Sequence, residues 1–97
     1  MNYTLHPEAA FEHEEQVAYY ETSSRGLGQR YHDAFRAAVT QACEHPQRHK
    51  LIAAPDLRQT PIHGFPHTLI FREHGDGIQV LAVAHHRRRP GYWAPRL

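Results

Sequence analysis

Apolar residues recur with helical spacing along one segment of this chain, and a proline follows shortly after the segment ends. This pattern constrains the fold more than any other feature, because residues three, four and seven apart lie on one face of an α-helix. The apolar positions are Leu27, Tyr31, Ala34, Phe35, Ala38 and Ala42. Pro46 cannot continue a helix, since it lacks a backbone N–H group. The sequence therefore predicts a helix from about Leu27 to Glu44 with one face packed against the rest of the protein.

The segment before this helix predicts a short strand and a first helix. Residues 3–5 fit a strand, and Pro7 followed by Glu8 is typical of a helix start. A helix from Pro7 to about Glu21 has an expected apolar face consisting of Ala10, Phe11, Val17 and Ala18. The residues expected in solvent are Glu12, Glu14 and Glu15. Residues 22–28 contain two glycines and two serines, which favour a tight reversal between the two helices.

The second half of the chain has the pattern of a small antiparallel sheet. Residues 45–56 are expected to form a polar loop with one apolar pair, Leu51-Ile52. The predicted strands are Leu57 to Ile62, Phe65 to Glu73 and Ile78 to His85, with Pro61 indicating an edge or an early strand end. Asp76-Gly77 favours a hairpin turn between the last two strands. The last strand is apolar at nearly every position, which predicts a central place in the sheet.

These elements define one domain over residues 1–97 in the order β-α-α-β-β-β. The expected class is α+β, with a helical hairpin packed on a small, mostly antiparallel sheet. No run of about eighteen apolar residues is present, so no membrane partner is expected. The start of the chain lacks the pattern of a signal peptide, and a single cysteine, Cys43, fits a reducing compartment. We therefore expect a cytoplasmic protein.

The charges are unevenly distributed. Residues 1–45 carry seven acidic and three basic side chains, whereas residues 46–97 carry three acidic and eight basic ones. Residues 85–97 alone contain four arginines, the only tryptophan and no acidic side chain. One half of the surface is therefore expected to attract anions such as nucleic acid or an acidic partner protein.

Five arginines are candidates for binding such a partner, since guanidinium groups grip phosphates and carboxylates with two parallel hydrogen bonds. They are Arg58, Arg72, Arg87, Arg88 and Arg89. We expect them to line one concave face of the three-stranded sheet. The alternative is a solvated basic edge that blocks strand aggregation.

Two further groups of side chains suggest chemistry or contact. His85 and His86 with Tyr92 resemble the proton donors and acceptors of a ribonuclease, although the alternative is that one histidine faces inward and bonds to the backbone. Tyr92 and Trp93 are candidates for contact with a partner, or else for docking of the C-terminus onto one of the two helices.

Metal binding is not expected. The pairs His45/His49 and His63/His67 are each four residues apart, but prolines or a glycine interrupt both pairs, so neither lies on a continuous helix. The single cysteine cannot complete a standard structural zinc site. We therefore predict no metal and no other cofactor.

The ordered set of elements and motifs resembles the RelE/ParE toxin superfamily over nearly the whole chain. The residues that carry the resemblance are Tyr19-Tyr20-Glu21, the Gly26-Leu27-Gly28 reversal, His45-Pro46, Arg58, Gly64-Phe65-Pro66-His67, Ile70-Phe71-Arg72, and Leu81-Ala82-Val83-Ala84-His85 running into Arg87-Arg88. The chain resembles the ParE-like branch more closely in three features. These are the long second helix, the single lysine in the loop after it, and His85 followed by Arg87-Arg88.

The resemblance implies the toxin of a bacterial type II toxin–antitoxin pair, of the kind linked to plasmid stabilisation. It implies a cognate antitoxin whose disordered tail folds on the toxin, and contact with operator DNA only through that antitoxin. ParE-like members bind DNA gyrase and block it, which makes them inhibitors rather than enzymes. The alternatives are a RelE-like, ribosome-dependent mRNA endoribonuclease and a non-toxic relative that only binds an antitoxin. For the endoribonuclease, Arg58, Arg72, His85, His86 and Tyr92 stand where functional groups are expected, but the lysines and acids of the usual catalytic sets are nearly missing from the basic half.

Overall fold

The computed structural model describes residues 2–97 and confirms the α+β class. Two helices precede most of a five-stranded sheet, and the elements follow one another along the chain. They are β1 (Tyr3–Leu5), α1 (Pro7–Ser23), α2 (Leu27–Glu44), β2 (Lys50–Ala53), β3 (Leu57–Ile62), β4 (His67–His74) and β5 (Gly77–His85), with single 3₁₀ turns at Pro46–Arg48 and Ala94–Arg96. Among the described residues, no helix is long and apolar enough to cross a membrane.

The helices begin and end largely where the sequence predicts. Pro7 is the first residue of α1, and the side chain of His6 accepts a hydrogen bond from the Glu8 N–H at 3.1 Å. The bounds of α2 match the prediction, while α1 runs two residues past Glu21. The hydroxyls of these two additional residues, Thr22 and Ser23, donate to carbonyls four residues earlier at 2.9 and 3.0 Å.

The two helices approach closely at Gly28. A Cβ atom built on this residue would lie 2.6 Å from the carbonyl oxygen of Val17, so no larger residue fits without displacing α1. The Glu21 side chain then accepts backbone N–H groups of Gly26 and Gly28 at 3.1 Å, which satisfies donors at the start of α2. We call α1 and α2 together the helical hairpin.

The strands form one sheet in the order β1-β5-β4-β3-β2. β1 runs parallel to β5, and all other neighbouring pairs are antiparallel. β5 is an interior strand, as predicted. Pro61 lies beyond the part of β3 that pairs with β2, so its missing N–H group interrupts no ladder on that side.

The sheet differs from the prediction in two places. Residues 50–53 form β2 instead of a loop, because Lys50 and Leu51 pair with Gln59 and Arg58. β4 begins at His67 instead of Phe65, and Phe65 packs on the core as part of the preceding turn. The first difference depends on pairing with another strand, and the second depends on the geometry of the turn before β4.

The main core lies between the helical hairpin and one face of the sheet. α2 contributes Tyr31, Phe35 and Val39, and the sheet contributes residues such as Leu69 and Phe71. The predicted apolar face of α1 is partly wrong, because the side chain of Phe11 is 56% exposed.

The buried residues of α1 are instead Ala9 and His13. The imidazole ring of His13 stacks on Phe35 with 3.9 Å between ring centroids, and its Nε2 lies 2.9 Å from Nδ1 of His32. His67 of β4 is also fully buried, and neither of its ring nitrogens has a hydrogen-bond partner.

Burial lowers the pKa of both histidines. For His13, loss of solvent is the main cause and the neighbouring His32 adds to it, giving a pKa of about 4. For His67, loss of solvent is again the main cause, with smaller contributions from His85 and His86, and the pKa is also about 4. Both rings are therefore neutral at pH 7 in the folded protein.

The other face of the sheet is not covered by helices, and we call it the uncovered face. A second apolar cluster of Leu57, Ile70, Leu81 and Ala82 lies there. Tyr92 and Trp93 pack against this cluster from the C-terminal segment, which we define as residues 86–97.

Candidate binding site

The C-terminal segment is folded rather than extended. After β5 the chain makes successive turns, with Arg88 N–H bonded to His85 O at 3.0 Å and Tyr92 N–H bonded to Arg89 O at 3.2 Å. Gly91 has φ of +77°, a conformation that glycine adopts without strain. These turns bring the segment back against α1.

Glu12 of α1 holds the C-terminal segment in place. Arg96 donates to both carboxylate oxygens at 3.0 and 2.9 Å, and the hydroxyl of Tyr92 donates at 2.7 Å. The backbone N–H of Val83 in β5 donates to the same carboxylate at 3.0 Å. We call Glu12, Tyr92, Arg96 and this N–H group the Glu12 cluster.

Burial and hydrogen bonds within the Glu12 cluster shift the pKa values of Glu12 and Tyr92. Burial raises the pKa of the Glu12 carboxyl, but the hydrogen bonds from Arg96, Tyr92 and Val83 outweigh it, and the net pKa is lower than usual. Burial and the hydrogen bond to Glu12 raise the pKa of the Tyr92 hydroxyl. Glu12 is therefore ionised and Tyr92 is protonated at neutral pH. The sequence-based expectation that Glu12 lies in solvent is wrong.

The ring of Tyr92 also contacts two guanidinium groups. The Cζ atom of Arg88 is 3.8 Å from the ring centroid of Tyr92, and that of Arg96 is 5.0 Å away. Arg88 is 4.0 Å from Glu12, with just over half of its side chain exposed. The position of the Tyr92 ring therefore helps to fix the position of Arg88.

A groove of about 340 Å³ lies between the C-terminal segment and the uncovered face. Its floor includes Ile70, Thr68 and Ala84, and Trp93 contributes to one wall. Arg88 and Arg89 line its rim. We call residues 87–89 the arginine turn. The groove thus combines an apolar floor with a positively charged rim.

The five candidate arginines do not share one face. Leu69 and Phe71 of β4 point into the main core, and Arg58 is paired directly with Phe71, so Arg58 lies on the face that carries the helical hairpin. Arg58 donates to His49 O at 3.0 Å. Arg72 is next to Phe71 in the strand, so it lies on the uncovered face, where its Nε bonds to Gln79 at 3.1 Å. The expectation of a single concave basic face is therefore wrong for Arg58.

The adjacent residues His85 and His86 have different surroundings. His85 contacts the ring of His67, with 4.9 Å between centroids, and its Nδ1 accepts the Arg87 N–H at 3.0 Å. This is the inward, backbone-bonded arrangement considered as the alternative to catalysis. His86 is exposed, and its Nε2 lies 3.2 Å from the Thr68 hydroxyl at the groove.

The predicted docking of the C-terminus onto a helix is confirmed for Tyr92, through its hydrogen bond to α1. Trp93 packs on the uncovered face instead. Within residues 2–97, no three histidine, cysteine, aspartate or glutamate side chains lie close enough together to hold a metal ion.

A comparison with models of protein families gives a match over residues 3–90. The matching family is described as the ParE toxin of the type II toxin–antitoxin system parDE. The chain belongs to the ParE toxin family. A comparison with curated proteins gave no match. Membership identifies this protein as the toxin component of a type II toxin–antitoxin system, with an antitoxin as its partner.

The match places most of the groove within the ParE toxin domain. The floor residues and the arginine turn all lie inside residues 3–90, whereas Tyr92, Trp93 and Arg96 lie beyond the matched segment.

Sequence reasoning missed the role of Glu12 in this ParE toxin. A weak signal was present, because Glu12 lies three residues after Ala9 and next to His13, at the border of the face that is buried.

Proposed function

We propose that this ParE toxin inhibits DNA gyrase by binding it, and that its cognate antitoxin neutralises it. The observation that supports binding is the arginine turn, of which Arg88 and Arg89 line an apolar groove on the uncovered face. The backbone of Arg87 is held by its hydrogen bond to His85. An apolar floor with a charged rim is typical of a surface that binds another protein. Gyrase is a cytoplasmic enzyme, so we propose that the toxin acts in the cytoplasm.

The arrangement of the candidate catalytic groups favours an inhibitor over a ribonuclease. The hydroxyl of Tyr92 is bonded to Glu12 and has a raised pKa, which makes it a poor general base at neutral pH. Arg58 lies on the opposite face of the sheet from Arg72. His86 is the one candidate acid–base group beside the groove with an exposed side chain.

We propose that the antitoxin binds through an acidic and apolar segment that covers the groove. Its apolar side chains would fill the floor around Ile70 and Trp93, and its carboxylates would pair with Arg88 and Arg89. The partner-binding residues that we propose are Arg72, Arg87, Arg88, Arg89 and Trp93, with Tyr92 as a support. Arg58 lies on the opposite face of the sheet and is not part of this surface. Operator DNA would be contacted only through the antitoxin.

Purified toxin added to gyrase, ATP and relaxed plasmid is expected to inhibit supercoiling and to trap cleaved DNA. The physical reason is that a bound protein blocks the conformational cycle of gyrase without any chemistry of its own. Supercoiling is measured by gel electrophoresis, and relaxation of the supercoiled form of the same plasmid by a type I topoisomerase serves as the control.

A second assay separates the alternatives. The same toxin in a translating extract is expected to leave mRNA intact. Cleaved transcripts with normal gyrase activity would assign the endoribonuclease function instead, and growth unaffected by expression would indicate a non-toxic, antitoxin-binding relative.

A further inference from the structure

We propose that Glu12 is a positioning residue for target binding. It fixes the C-terminal segment on α1, and thereby keeps the arginine turn in one geometry at the rim of the groove. This inference rests on the proposed use of the arginine turn as a binding element.

The carboxylate of Glu12 has no remaining capacity for other partners. It accepts four hydrogen bonds, two from Arg96 and one each from Tyr92 and Val83. A carboxylate offers about four acceptor positions, so all are occupied. The side chains of Glu12 and Arg96 are each only 12% exposed. A charge pair this buried holds its geometry only when every polar atom is satisfied.

The same ion pair also satisfies backbone hydrogen-bonding groups of β5. β1 pairs with β5 as far as Val80. The N–H of His6, the residue directly after β1, donates to Val80 O at 2.8 Å. Beyond that point the N–H of Val83 donates to Glu12, and the carbonyl of Leu81 accepts from Arg96 at 3.0 Å. Glu12 and Arg96 therefore take the place of a neighbouring strand and tie the C-terminal segment to the sheet.

Glu12 is linked to the arginine turn in two ways, directly by the 4.0 Å approach of Arg88 and through the ring of Tyr92. Glu12 fixes the hydroxyl of Tyr92, and the ring of Tyr92 supports the guanidinium of Arg88. Tyr92 and Arg96 follow Glu12 by 80 and 84 residues and lie outside the segment matched by the family model. The family match therefore does not cover two of the three side chains that form this arrangement.

The test uses Glu12→Gln, which removes the charge and keeps the size of the side chain. The amide leaves Arg96 without a counter-ion, so the C-terminal segment is expected to detach. Trp93 is the only tryptophan and reports detachment by its fluorescence and its quenching by acrylamide. Trypsin cleavage at the arginine turn is expected to accelerate about tenfold, which corresponds to local opening that costs about 1.4 kcal/mol less. Gyrase inhibition is expected to require about tenfold more toxin.

Glu15→Gln is the matched control, because Glu15 is an exposed residue of the same helix. It is expected to behave as the unchanged protein in every assay. Far-ultraviolet circular dichroism checks that Glu12→Gln remains folded. If that variant does not fold, Arg96→Gln releases the segment from its other end and is measured in the same way.

A double-mutant comparison separates positioning from general destabilisation. Tyr92→Phe is expected to weaken gyrase inhibition in the unchanged protein but to have no further effect in Glu12→Gln, because both act through one contact. Additive effects would contradict the proposal. So would an unchanged Trp93 signal in Glu12→Gln, or a detached segment with full inhibition. If the unchanged toxin does not inhibit gyrase, the proposed function fails, and fluorescence and proteolysis still decide whether Glu12 holds the segment.

Discussion

Lowering the pH from 7 to 5 is expected to reduce the free energy of unfolding by about 2–4 kcal/mol, or about 1–2 kcal/mol for each of two buried histidines. His13 and His67 have pKa values of about 4 in the folded protein, against the usual 6.5. Below pH 6.5 the unfolded chain therefore binds protons that the folded chain does not. The stability present above pH 6.5 is lost progressively as the pH falls towards 4.

The surroundings of His67 explain why it resists protonation. Its ring faces Tyr20 and Tyr31 on the helical hairpin and His85 on β5, and none of these offers it a hydrogen bond. The positive charge of a protonated His67 would therefore be buried without an acceptor.

Urea unfolding at pH 7.5, 6 and 5 measures this effect. His67→Leu is expected to keep or raise the stability at pH 7 and to remove about half of the pH dependence, since leucine fills a similar volume without polar atoms. His63→Gln is the control, because His63 is exposed in a turn and should leave the dependence unchanged. An identical pH dependence in His67→Leu and the unchanged protein would show that His67 is not responsible.

Replacing the arginine turn by glutamine is expected to abolish most of the toxin's effect on growth. Arg87, Arg88 and Arg89 are exposed, so glutamine at these positions leaves the core intact. Arginine side chains at the centre of an interface each contribute about 2 kcal/mol or more, so the triple variant is expected to bind gyrase at least about 10²-fold more weakly. Growth after induction and the amount of toxin needed to inhibit supercoiling measure the effect.

The helical hairpin provides a matched control for this variant. Arg25, Arg30 and Arg36 are also exposed, and changing all three to glutamine alters the net charge by the same amount. This variant is expected to remain toxic, because these residues lie away from the groove. Equal loss of toxicity in both triple variants would mean that overall charge, rather than the arginine turn, determines binding.

The sequence predicted the elements whose signals are local. The spacing from Leu27 to Ala42 and the proline at 46 predict α2 to the residue, and Asp76-Gly77 predicts the turn before β5. β2 was missed because four residues of modest strand propensity become a strand only by pairing with β3, which follows them.

The candidate site was harder to predict because it depends on register and on distant contacts. Arg58 and Arg72 lie on opposite faces because Arg58 pairs with Phe71, the residue just before Arg72, and the sequence does not reveal that pairing. Glu12 looked like one of several acidic residues on a solvated helix. Its role depends on Tyr92 and Arg96, and no local pattern connects residues so far apart.

The distance along the chain between Glu12 and Arg96 also sets an order of events during synthesis. Ribosomes add about 5–20 residues per second, so the 84 residues between them take about 4–17 s to make. For nearly all of that interval the Glu12 carboxylate has neither Arg96 nor Tyr92 to bind. A nascent chain therefore carries the helical hairpin well before it carries a finished groove, and the arginine turn reaches its final geometry only after Arg96 has been made.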